Sequence, residues 1–354
     1  MKSVKLEYYK NLDGLRGIAA FAVIIFHFFG SHGKELTRSL DNQKFFSTYT
    51  EILQHGVTLF FVLSGFVITR ILLNSKDKED YFSRFYKRRA LRIFPLYYLY
   101  LIIQNYIAPW ILRGSPDTNF SNHIVQYFYL QNMKWLTGWQ GSGPPHFWSL
   151  AVEEHFYLIW PLVIFLIPRK MIKPATIFFL LLAIPLKIYF YNNGIDINKN
   201  TFSRYDSIMI GCLIAILERE SNFMLKAIQI KKAIVYSLII LILGAFLYVF
   251  QEKFEALKAI LKHFILSSFF GIIIYQLISV KGNHLFNKIL THKFMQYLGK
   301  ISYGLYVWHL AAIVIASYFG LNSTFLNFIL VSVITVVISH ISYYYFEKLF
   351  FRFK

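Results

Sequence analysis

Residues 56–69 read Gly-Val-Thr-Leu-Phe-Phe-Val-Leu-Ser-Gly-Phe-Val-Ile-Thr and contain no charged side chain. A helix that crosses the hydrocarbon core of a bilayer needs about 20 mostly apolar residues, and the stretch continues to nearly that length over 55–73. Similar stretches cover 11–30, 90–111, 146–167, 174–191, 205–218, 233–250, 263–280, 297–318 and 325–346. The sequence therefore predicts an all-α, polytopic transmembrane helix bundle of about ten spans.

The composition of the chain agrees with this class of protein. Of 354 residues, 56% are apolar and 16% are charged, whereas a soluble domain has about 25% charged residues. The single cysteine, Cys212, excludes a disulfide scaffold. A net charge of +19 would suggest a nucleic-acid-binding protein if the basic residues lined one polar face. Here they lie between apolar blocks, so the expected partner is a lipid bilayer and no nucleic acid.

The distribution of lysine and arginine predicts the orientation, because these residues are enriched in cytoplasmic loops. With the N-terminus in the cytoplasm, 26 of the 37 basic residues fall in inner segments and 11 in outer ones. This split favours ten helices with both termini in the cytoplasm. No segment outside the spans is long enough for a second domain, so we expect residues 1–354 to form a single membrane domain.

The first predicted span carries charged and titratable residues on one face. Arg16 and His27 are eleven residues apart, close to three full helical turns, which separates them by about 16 Å along the helix. Asp13 precedes them at the cytoplasmic end. Ionisable residues inside a membrane span are costly and often functional. The alternative is a structural role, in which His27 hydrogen bonds to a neighbouring helix.

The third predicted span begins with basic residues. Arg89 and Arg92 are spaced i, i+3 and therefore lie on one helical face, where two guanidinium groups suit bidentate binding of phosphate. Anchoring at the cytoplasmic surface is the alternative, and it explains the neighbouring Lys87 and Arg88.

Further polar residues enter later spans. Ser149 and Glu153 are spaced i, i+4 on one face of the fourth span, and a buried glutamate suits a general base or a partner that orients a histidine. Asp206 begins the sixth span, and His309 lies in the ninth at about the depth of His27. A lone aspartate or histidine at such a position is more often structural than catalytic, and this is the alternative for both residues. No His-x-x-x-His spacing lies near Glu153, so we assign no metal site.

Together these segments resemble, in the same order along the chain, the integral-membrane acyltransferase-3 family, which includes O-antigen, exopolysaccharide and peptidoglycan O-acetylases. The resemblance implies that His27 is essential for acyl transfer and that Arg89 and Arg92, with Arg16, receive acyl-CoA. The family's Ser-x-x-x-Glu-x-x-Phe-Tyr signature corresponds to residues 149–157. Some members carry an extracytoplasmic hydrolase-like domain after the last span. We expect none here, because the sequence stops at residue 354.

The resemblance leads us to expect an O-acyltransferase of the bacterial inner membrane. It would move an acyl group, most simply acetyl, from cytosolic acyl-CoA to a hydroxyl of a cell-surface carbohydrate or lipid-linked glycan. Acyl-CoA would be the donor substrate, and no permanently bound cofactor is expected. His27 would act as a general base or carry the acyl group itself. Glu153 is preferred over Asp13 for orienting His27, because Asp13 is about 21 Å away by helical rise.

The alternative function is a transporter or flippase for a lipid-linked sugar, which would also need ionisable residues in its spans. Such a protein more naturally shows matching broken helices in its two halves, and no such pairing is visible. Trp135, Trp139 and Trp148 near the outer side could stack on a sugar. An interfacial aromatic belt uses the same residue type and is the favoured interpretation.

Overall fold

The computed structural model describes residues 7–31, 50–114, 121, 123–139, 143–220, 235–237, 239, 242, 244, 254–279 and 285–353. Within these ranges the regular secondary structure is helical, without a strand. The predicted all-α class is therefore confirmed. The seventh predicted span, 233–250, lies largely outside the described residues.

The longer helices, in chain order, are α1 (Lys10–Phe26), α2 (Gly56–Ser75), α3 (Tyr81–Ile102), α4 (Trp148–Leu166), α5 (Ile172–Asn192), α6 (Thr201–Glu220), α7 (Glu255–Ser279), α8 (Leu285–Thr291), α9 (Lys293–Lys300), α10 (Ser302–Ser317) and α11 (Thr324–Ile341). Three of them continue into π-helical segments: α1 at His27–Ser31, α3 at Ile103–Ile107 and α11 at Ser342–Glu347. Short helices follow at Ala108–Arg113 and Lys348–Phe351, and single turns form at Glu51–His55, Ile124–Tyr127, Lys134–Thr137 and Arg169–Met171.

Six helical stretches in the described residues are long and apolar enough to cross a membrane. They are Lys10–Gly30, Glu51–Ser75, Trp148–Leu166, Arg169–Asn192, Glu255–Ser279 and Thr324–Phe351, and each coincides with a predicted span. The ninth predicted span is not one straight helix, because α9 and α10 meet at a bend of 72°. Helices α3 and α6 occupy the third and sixth predicted spans but carry too much charge to meet the same criterion.

Contacts between Cα atoms divide the chain into two compact units. The first unit comprises Met1–Tyr8, Thr58–Phe82 and Asp117–Gly282, and the second comprises Tyr9–Val57, Ser83–Pro116 and Asn283–Lys354. Helices α4, α5, α6 and α7 lie in the first unit with most of α2. Helices α1, α8, α9, α10 and α11 lie in the second with most of α3.

The first unit is held together by close backbone contacts between α2 and α6. A Cβ atom on Gly65 would overlap the carbonyl oxygen of Ile208, and one on Gly211 would overlap the carbonyl oxygen of Val62. Small residues allow such close approach of helices in membranes, where interhelical packing replaces the hydrophobic effect as the main attraction. This contact fixes the position of the polar residues that α6 carries one turn away.

In the second unit, α1 packs against α9 in the same way. A Cβ atom on Gly299, near the end of α9, would overlap the backbone carbonyl of Asp13. Farther along, the hydroxyl of Tyr303 on α10 donates to the carbonyl of Ile93 on α3 at 2.9 Å. These contacts hold α1, α3 and α10 together and bring the end of α1 beside the middle of α10.

Candidate active site

A pair of histidines from different helices meets in the second unit. His27 begins the π-helical segment at the end of α1, and His309 lies in the middle of α10. Their rings are 4.8 Å apart between centroids, and Nδ1 of His27 lies 3.0 Å from Nε2 of His309. His309 is fully buried, whereas His27 is half-buried. The pair joins two residues that are 282 positions apart in the chain.

The hydrogen bonds of this pair define the tautomer of each neutral ring. Nδ1 of His309 lies 2.6 Å from the carbonyl oxygen of Tyr306, and a carbonyl only accepts, so this Nδ1 carries the proton. Nε2 of His309 is then the acceptor for the Nδ1 proton of His27, which also points to the carbonyl of Val23 at 3.0 Å. His27 therefore presents the lone pair of its Nε2, the form required of a general base or a nucleophile.

The local backbone at His27 is also unusual. The helix changes from α to π at this residue, and π-helical segments are rare and often occur at functional sites. The ring of Phe26 packs edge-on against His27 at 5.0 Å between centroids, and the ring of Tyr306 lies 5.8 Å from that of His309. Aromatic rings therefore flank both imidazoles.

The predicted phosphate-binding arginines lie in the second unit as well. Along α3, the side chains of Lys87 and Arg88 are exposed, whereas Arg89 and Arg92 are half-buried. Arg16 and Asp13 are half-buried on α1. The exposure of the first pair is that expected of surface anchors, whereas the second pair is partly covered by the protein.

Arg92 belongs to a cluster of cations and tyrosines that the sequence did not indicate. It lies near enough to Tyr343 for its charge to act on the phenol, as does Lys300 at the end of α9. The Nζ atom of Lys348 lies 4.0 Å from the ring centroid of Tyr344. Arg92, Lys300 and Lys348 thus place three cations around these two tyrosines, with Glu347 as a nearby carboxylate, and the excess of positive charge favours anionic groups.

The polar residues of α4 form a second chain of hydrogen bonds, in the first unit. The phenol of Tyr157 donates to Oε2 of Glu153 at 3.2 Å. Its oxygen is also hydrogen bonded to the hydroxyl of Ser64 on α2. Because the phenol proton is directed to the carboxylate, Ser64 is the donor in this second bond. We call Ser64, Tyr157 and Glu153 the hydroxyl relay, since protons can pass along it from Ser64 to the carboxylate.

Ser149 and Asp206, also predicted as supporting residues, have structural partners. The Ser149 hydroxyl donates to the carbonyl of His146 at 3.3 Å, at the start of α4. Asp206 forms an ion pair with Lys187 of α5, and both side chains are almost completely buried. A buried pair of this kind fixes the arrangement of α5 and α6.

Arg204, two residues before Asp206, is buried without a carboxylate at salt-bridge distance among the described residues. One of its nitrogens donates to Thr58 at 3.0 Å, and its guanidinium lies 5.4 Å from the ring of Phe61 and 5.8 Å from that of Trp148. Its Nε and Nη1 atoms lack a hydrogen-bond partner within the described part of the chain. Buried donors without partners are rare and call for an explanation.

The predicted site residues are divided between the two units. His27, His309, Arg16, Asp13, Arg89 and Arg92 lie in the second unit, whereas Ser149, Glu153 and Asp206 lie in the first. The predicted pairing of Glu153 with His27 therefore stays a prediction. Within the second unit, the ring of His27 is hydrogen bonded to that of His309.

Sequence reasoning missed two features of this site. The uncharged stretch 56–69 gave no indication that Ser64 joins the relay, while its neighbour Gly65 makes the close helix contact. The sequence analysis also assigned no role to Lys187, which is 1% exposed and paired with Asp206. An available signal was the isolated lysine in the apolar stretch Ala183-Ile-Pro-Leu-Lys-Ile188.

Comparison with known proteins agrees with the resemblance seen in the sequence. The chain is 29% identical to the peptidoglycan O-acetyltransferase OatA of Listeria monocytogenes over 335 residues, which cover 86% of this chain and 49% of that protein. It is also 29% identical to the O-acetyltransferase OatA of Staphylococcus aureus over 367 residues, which cover 96% of this chain and 57% of that protein. The chain thus spans about half the length of these relatives. No solved structure matches it significantly.

The model of the acyltransferase-3 family, described as an acyltransferase domain, matches residues 9–344 and therefore almost the whole chain. With the apolar helices, this match identifies an integral membrane protein and confirms the predicted enzyme class, an acyltransferase. The alternative of a transporter has no comparable support. The chain belongs to the acyltransferase-3 family.

Proposed function

We propose that this protein is an O-acyltransferase that moves an acyl group, most simply acetyl, from cytosolic acyl-CoA to a hydroxyl of a cell-surface carbohydrate. The observation that carries the proposal is the hydrogen-bonded pair of His27 and His309. The pair holds the imidazole of His27 with a lone pair on Nε2 and a partner for its Nδ1 proton. This is the arrangement of a histidine that takes up a proton during catalysis.

In the reaction, Nε2 of His27 removes the proton of the acceptor hydroxyl while the hydroxyl oxygen attacks the thioester carbonyl. The carbon–sulfur bond then breaks, the CoA thiolate leaves, and the proton on Nε2 passes to the sulfur, which yields an acyl ester and free CoA. The imidazolium formed in between still donates from Nδ1 to His309. A hydrogen bond to a charged group is stronger than one to a neutral group, so His309 stabilises the charged state selectively.

The donor would be bound by the cations of the second unit. Arg89 and Arg92 bind the phosphates of acyl-CoA, with Arg16 on α1 adding positive charge. If α1 lies along the membrane normal, Arg16 is about 16 Å from the level of His27 by helical rise. This separation lets a bound phosphate group and the reacting thioester occupy opposite ends of one extended donor molecule.

The hydroxyl relay in the first unit would provide a second acid–base group. Ser64 and Tyr157 pass a proton to Glu153, and a carboxylate can store that proton and return it. We propose that Glu153 supports acyl transfer either through this relay or by orienting His27. The two roles differ in whether Glu153 depends on the histidine pair.

We further propose ten membrane spans with both termini in the cytoplasm of a bacterial cell, and the inner membrane as the location. The excess of basic residues in the inner segments supports this orientation. It directs acyl-CoA to the cytosolic side and the acceptor to the outer side. The name of the Listeria monocytogenes relative, a peptidoglycan O-acetyltransferase, supports a cell-wall glycan as one class of acceptor.

The proposal can be tested with purified protein in liposomes supplied with acetyl-CoA labelled in the acetyl group or in the adenine. We expect free CoA to be released, faster in the presence of a pool of glycans, and to depend on His27. His27→Ala should abolish release, whereas the matched variant His292→Ala, at the start of α9 in the same unit, should retain it. Full activity of His27→Ala would contradict the proposal, and transport of a lipid-linked sugar without turnover would replace it with the transporter alternative.

The donor site has a matched pair of variants on one helix. Arg89→Gln with Arg92→Gln should weaken binding of acetyl-CoA more than binding of the acceptor. Lys87→Gln with Arg88→Gln, which removes the same charge from exposed positions, should change donor binding much less. Equal effects of the two double variants would indicate a general effect of charge in place of a phosphate site.

A further inference from the structure

A cavity in the first unit is lined by aromatic rings, amides and some charged side chains, apart from the histidine pair, the donor arginines and the hydroxyl relay. Its volume is about 550 Å³, within the range of small-molecule sites. The rings belong to Trp135, Trp139 and Trp148, and two of the amides belong to Asn132 and Asn200. These elements come from the loop before α4, the start of α4 and the loop between α5 and α6. We call this the tryptophan cavity.

The two asparagines have their orientations fixed by the protein. Nδ2 of Asn132 donates to the carbonyl of Lys199 at 3.2 Å and to the hydroxyl of Thr201 at 2.8 Å. Oδ1 of Asn200 accepts from the backbone N–H of Phe202 at 2.9 Å, near the start of α6. Each amide therefore has one end committed to the protein. The other ends are Oδ1 of Asn132, an acceptor, and Nδ2 of Asn200, a donor.

Those remaining amide ends have no protein partner among the described residues. Asn132 is 8% exposed and Asn200 is 1% exposed, and both Oδ1 of Asn132 and Nδ2 of Asn200 are buried and lack a hydrogen bond. Buried polar atoms are normally paired, and these two belong to residues that line one cavity, so they point to a ligand that can both donate and accept once it reaches them. A hydroxyl group does both.

The tryptophans supply the apolar part of such a site. Trp135 remains 43% exposed although its ring packs on Phe190 at 5.4 Å, and Trp148 is backed by the guanidinium of Arg204 at 5.8 Å. Rings that line a cavity and are held by such contacts form rigid surfaces on which the C–H face of a sugar ring can pack. An aromatic belt requires only contact with the interface, and does not account for buried, unpaired amides in the same cavity.

We propose that the tryptophan cavity binds a pyranose unit of the glycan acceptor. This inference rests on the proposed function, because it takes the acceptor to be a glycan. The tryptophan rings pack against the face of the sugar, and Asn132 and Asn200 bond to its hydroxyl or acetamido groups. The cavity lies at the ends of α4, α5 and α6 that the distribution of basic residues assigns to the outer side, where a cell-surface glycan is accessible. The donor arginines, in contrast, come from predicted inner segments.

Binding can be tested apart from catalysis, by tryptophan fluorescence of the full chain in nanodiscs. The probes are tetrasaccharides of glucose, galactose and N-acetylglucosamine, with acetyl-CoA as a separate ligand. We expect at least one tetrasaccharide to change the emission. The affinity should fall at least tenfold in Trp135→Ala and Trp139→Ala but stay unchanged in Trp110→Ala, which alters an exposed ring outside the cavity.

The variant Asn200→Asp is the sharpest test because it is nearly isosteric. It retains the oxygen that accepts from Phe202 at the start of α6, and replaces the donor Nδ2 with a second acceptor. We expect saccharide affinity to fall by about tenfold to a hundredfold, and the thermal midpoint is measured alongside to separate this loss from the cost of a buried carboxylate. Unchanged affinity in this variant would overturn the assignment of Asn200.

The outcomes separate this proposal from the proposed function. Saccharide binding that needs the tryptophans, without any transfer from acetyl-CoA, would support the cavity and contradict the enzyme mechanism. Transfer to a glycan with a KM unaffected by Trp135→Ala, Trp139→Ala and Asn200→Asp would support the enzyme and overturn the cavity proposal. Fluorescence changes with acetyl-CoA alone, or with none of the probes, would also overturn it.

Discussion

The hydrogen bond between the two histidines allows a quantitative prediction. His309→Asn retains a short amide that can still donate to the carbonyl of Tyr306, but it removes the acceptor that Nε2 offers to His27. His309→Gln is the matched variant, because its longer side chain places an amide oxygen near the position of Nε2. The two substitutions are similarly polar and differ mainly in whether His27 keeps a partner.

The size of the effect follows from the bonds that remain. Without His309 as acceptor, Nδ1 of His27 still has the carbonyl of Val23 at 3.0 Å, so the tautomer and the ring orientation are preserved. What is lost is one hydrogen bond to the imidazolium in the transition state, about 1.5–3 kcal/mol. Since about 1.4 kcal/mol corresponds to a factor of ten in rate, kcat should fall roughly tenfold to 150-fold in His309→Asn.

The assay is the release of CoA from acetyl-CoA by protein in liposomes, at saturating donor and glycan. We expect His309→Gln to retain most of the activity and His309→Asn to lose it in kcat with little change in the KM for the donor. The loss should remain smaller than in His27→Ala. Equal activity of His309→Asn and wild type would refute the role of His309, as would an equal loss in both variants. Size-exclusion profiles must show that both proteins remain folded.

Three other predictions concern the packing and the polar network. Tyr157→Phe interrupts the hydroxyl relay by removing the phenol oxygen. We expect kcat to fall about tenfold or more, while the affinity for acetyl-CoA, measured by titration, is unchanged. A change in this affinity without a change in kcat would contradict the role of the relay. Gly299→Val forces a side chain into the backbone carbonyl of Asp13, so the thermal midpoint should fall by an amount equivalent to about 1–3 kcal/mol. Lys187→Met leaves Asp206 buried without its partner and should lower the free energy of unfolding by about 3–5 kcal/mol. Adding Asp206→Leu removes the unpaired carboxylate and should restore much of this loss. A double variant no more stable than the single one would contradict a purely structural role of the pair.

The helical class and six spans could be predicted because hydrocarbon imposes a length and a polarity on any helix that crosses it. The same criterion does not identify spans whose charged side chains are buried against other helices. Helix α6 carries Arg204 and Asp206, each 1% exposed, so its low hydropathy reflects polar groups that are buried inside the unit. The bend between α9 and α10 was missed for a related reason, since Lys300 and Ser302 lie within a stretch that is apolar on average.

The sequence could identify the candidate residues within each helix, but it could not predict which residues of different helices contact each other. The spacing of Arg16 and His27 follows from helical geometry within one span, whereas the contact between His27 and His309 depends on how α1 and α10 pack, 282 residues apart. Depth in the membrane suggested only that the two were at a similar level. The hydroxyl relay is similar: Glu153 and Tyr157 are spaced i, i+4 on α4, but Ser64 comes from α2 and could be joined to them only in three dimensions.

Whether Glu153 acts through His27 or through its own relay can be decided without any distance between the two units. We expect the variants His309→Asn and Glu153→Gln, measured singly and together, to distinguish the two roles. If Glu153 orients His27, each variant removes support for the same imidazole, and the combined loss in kcat should differ from the product of the single losses by more than threefold. If Glu153 serves only the relay, the free-energy effects should add to within about 0.5 kcal/mol. Additivity would disprove the orienting role that the sequence predicted for Glu153, and coupling would assign both residues to one proton transfer.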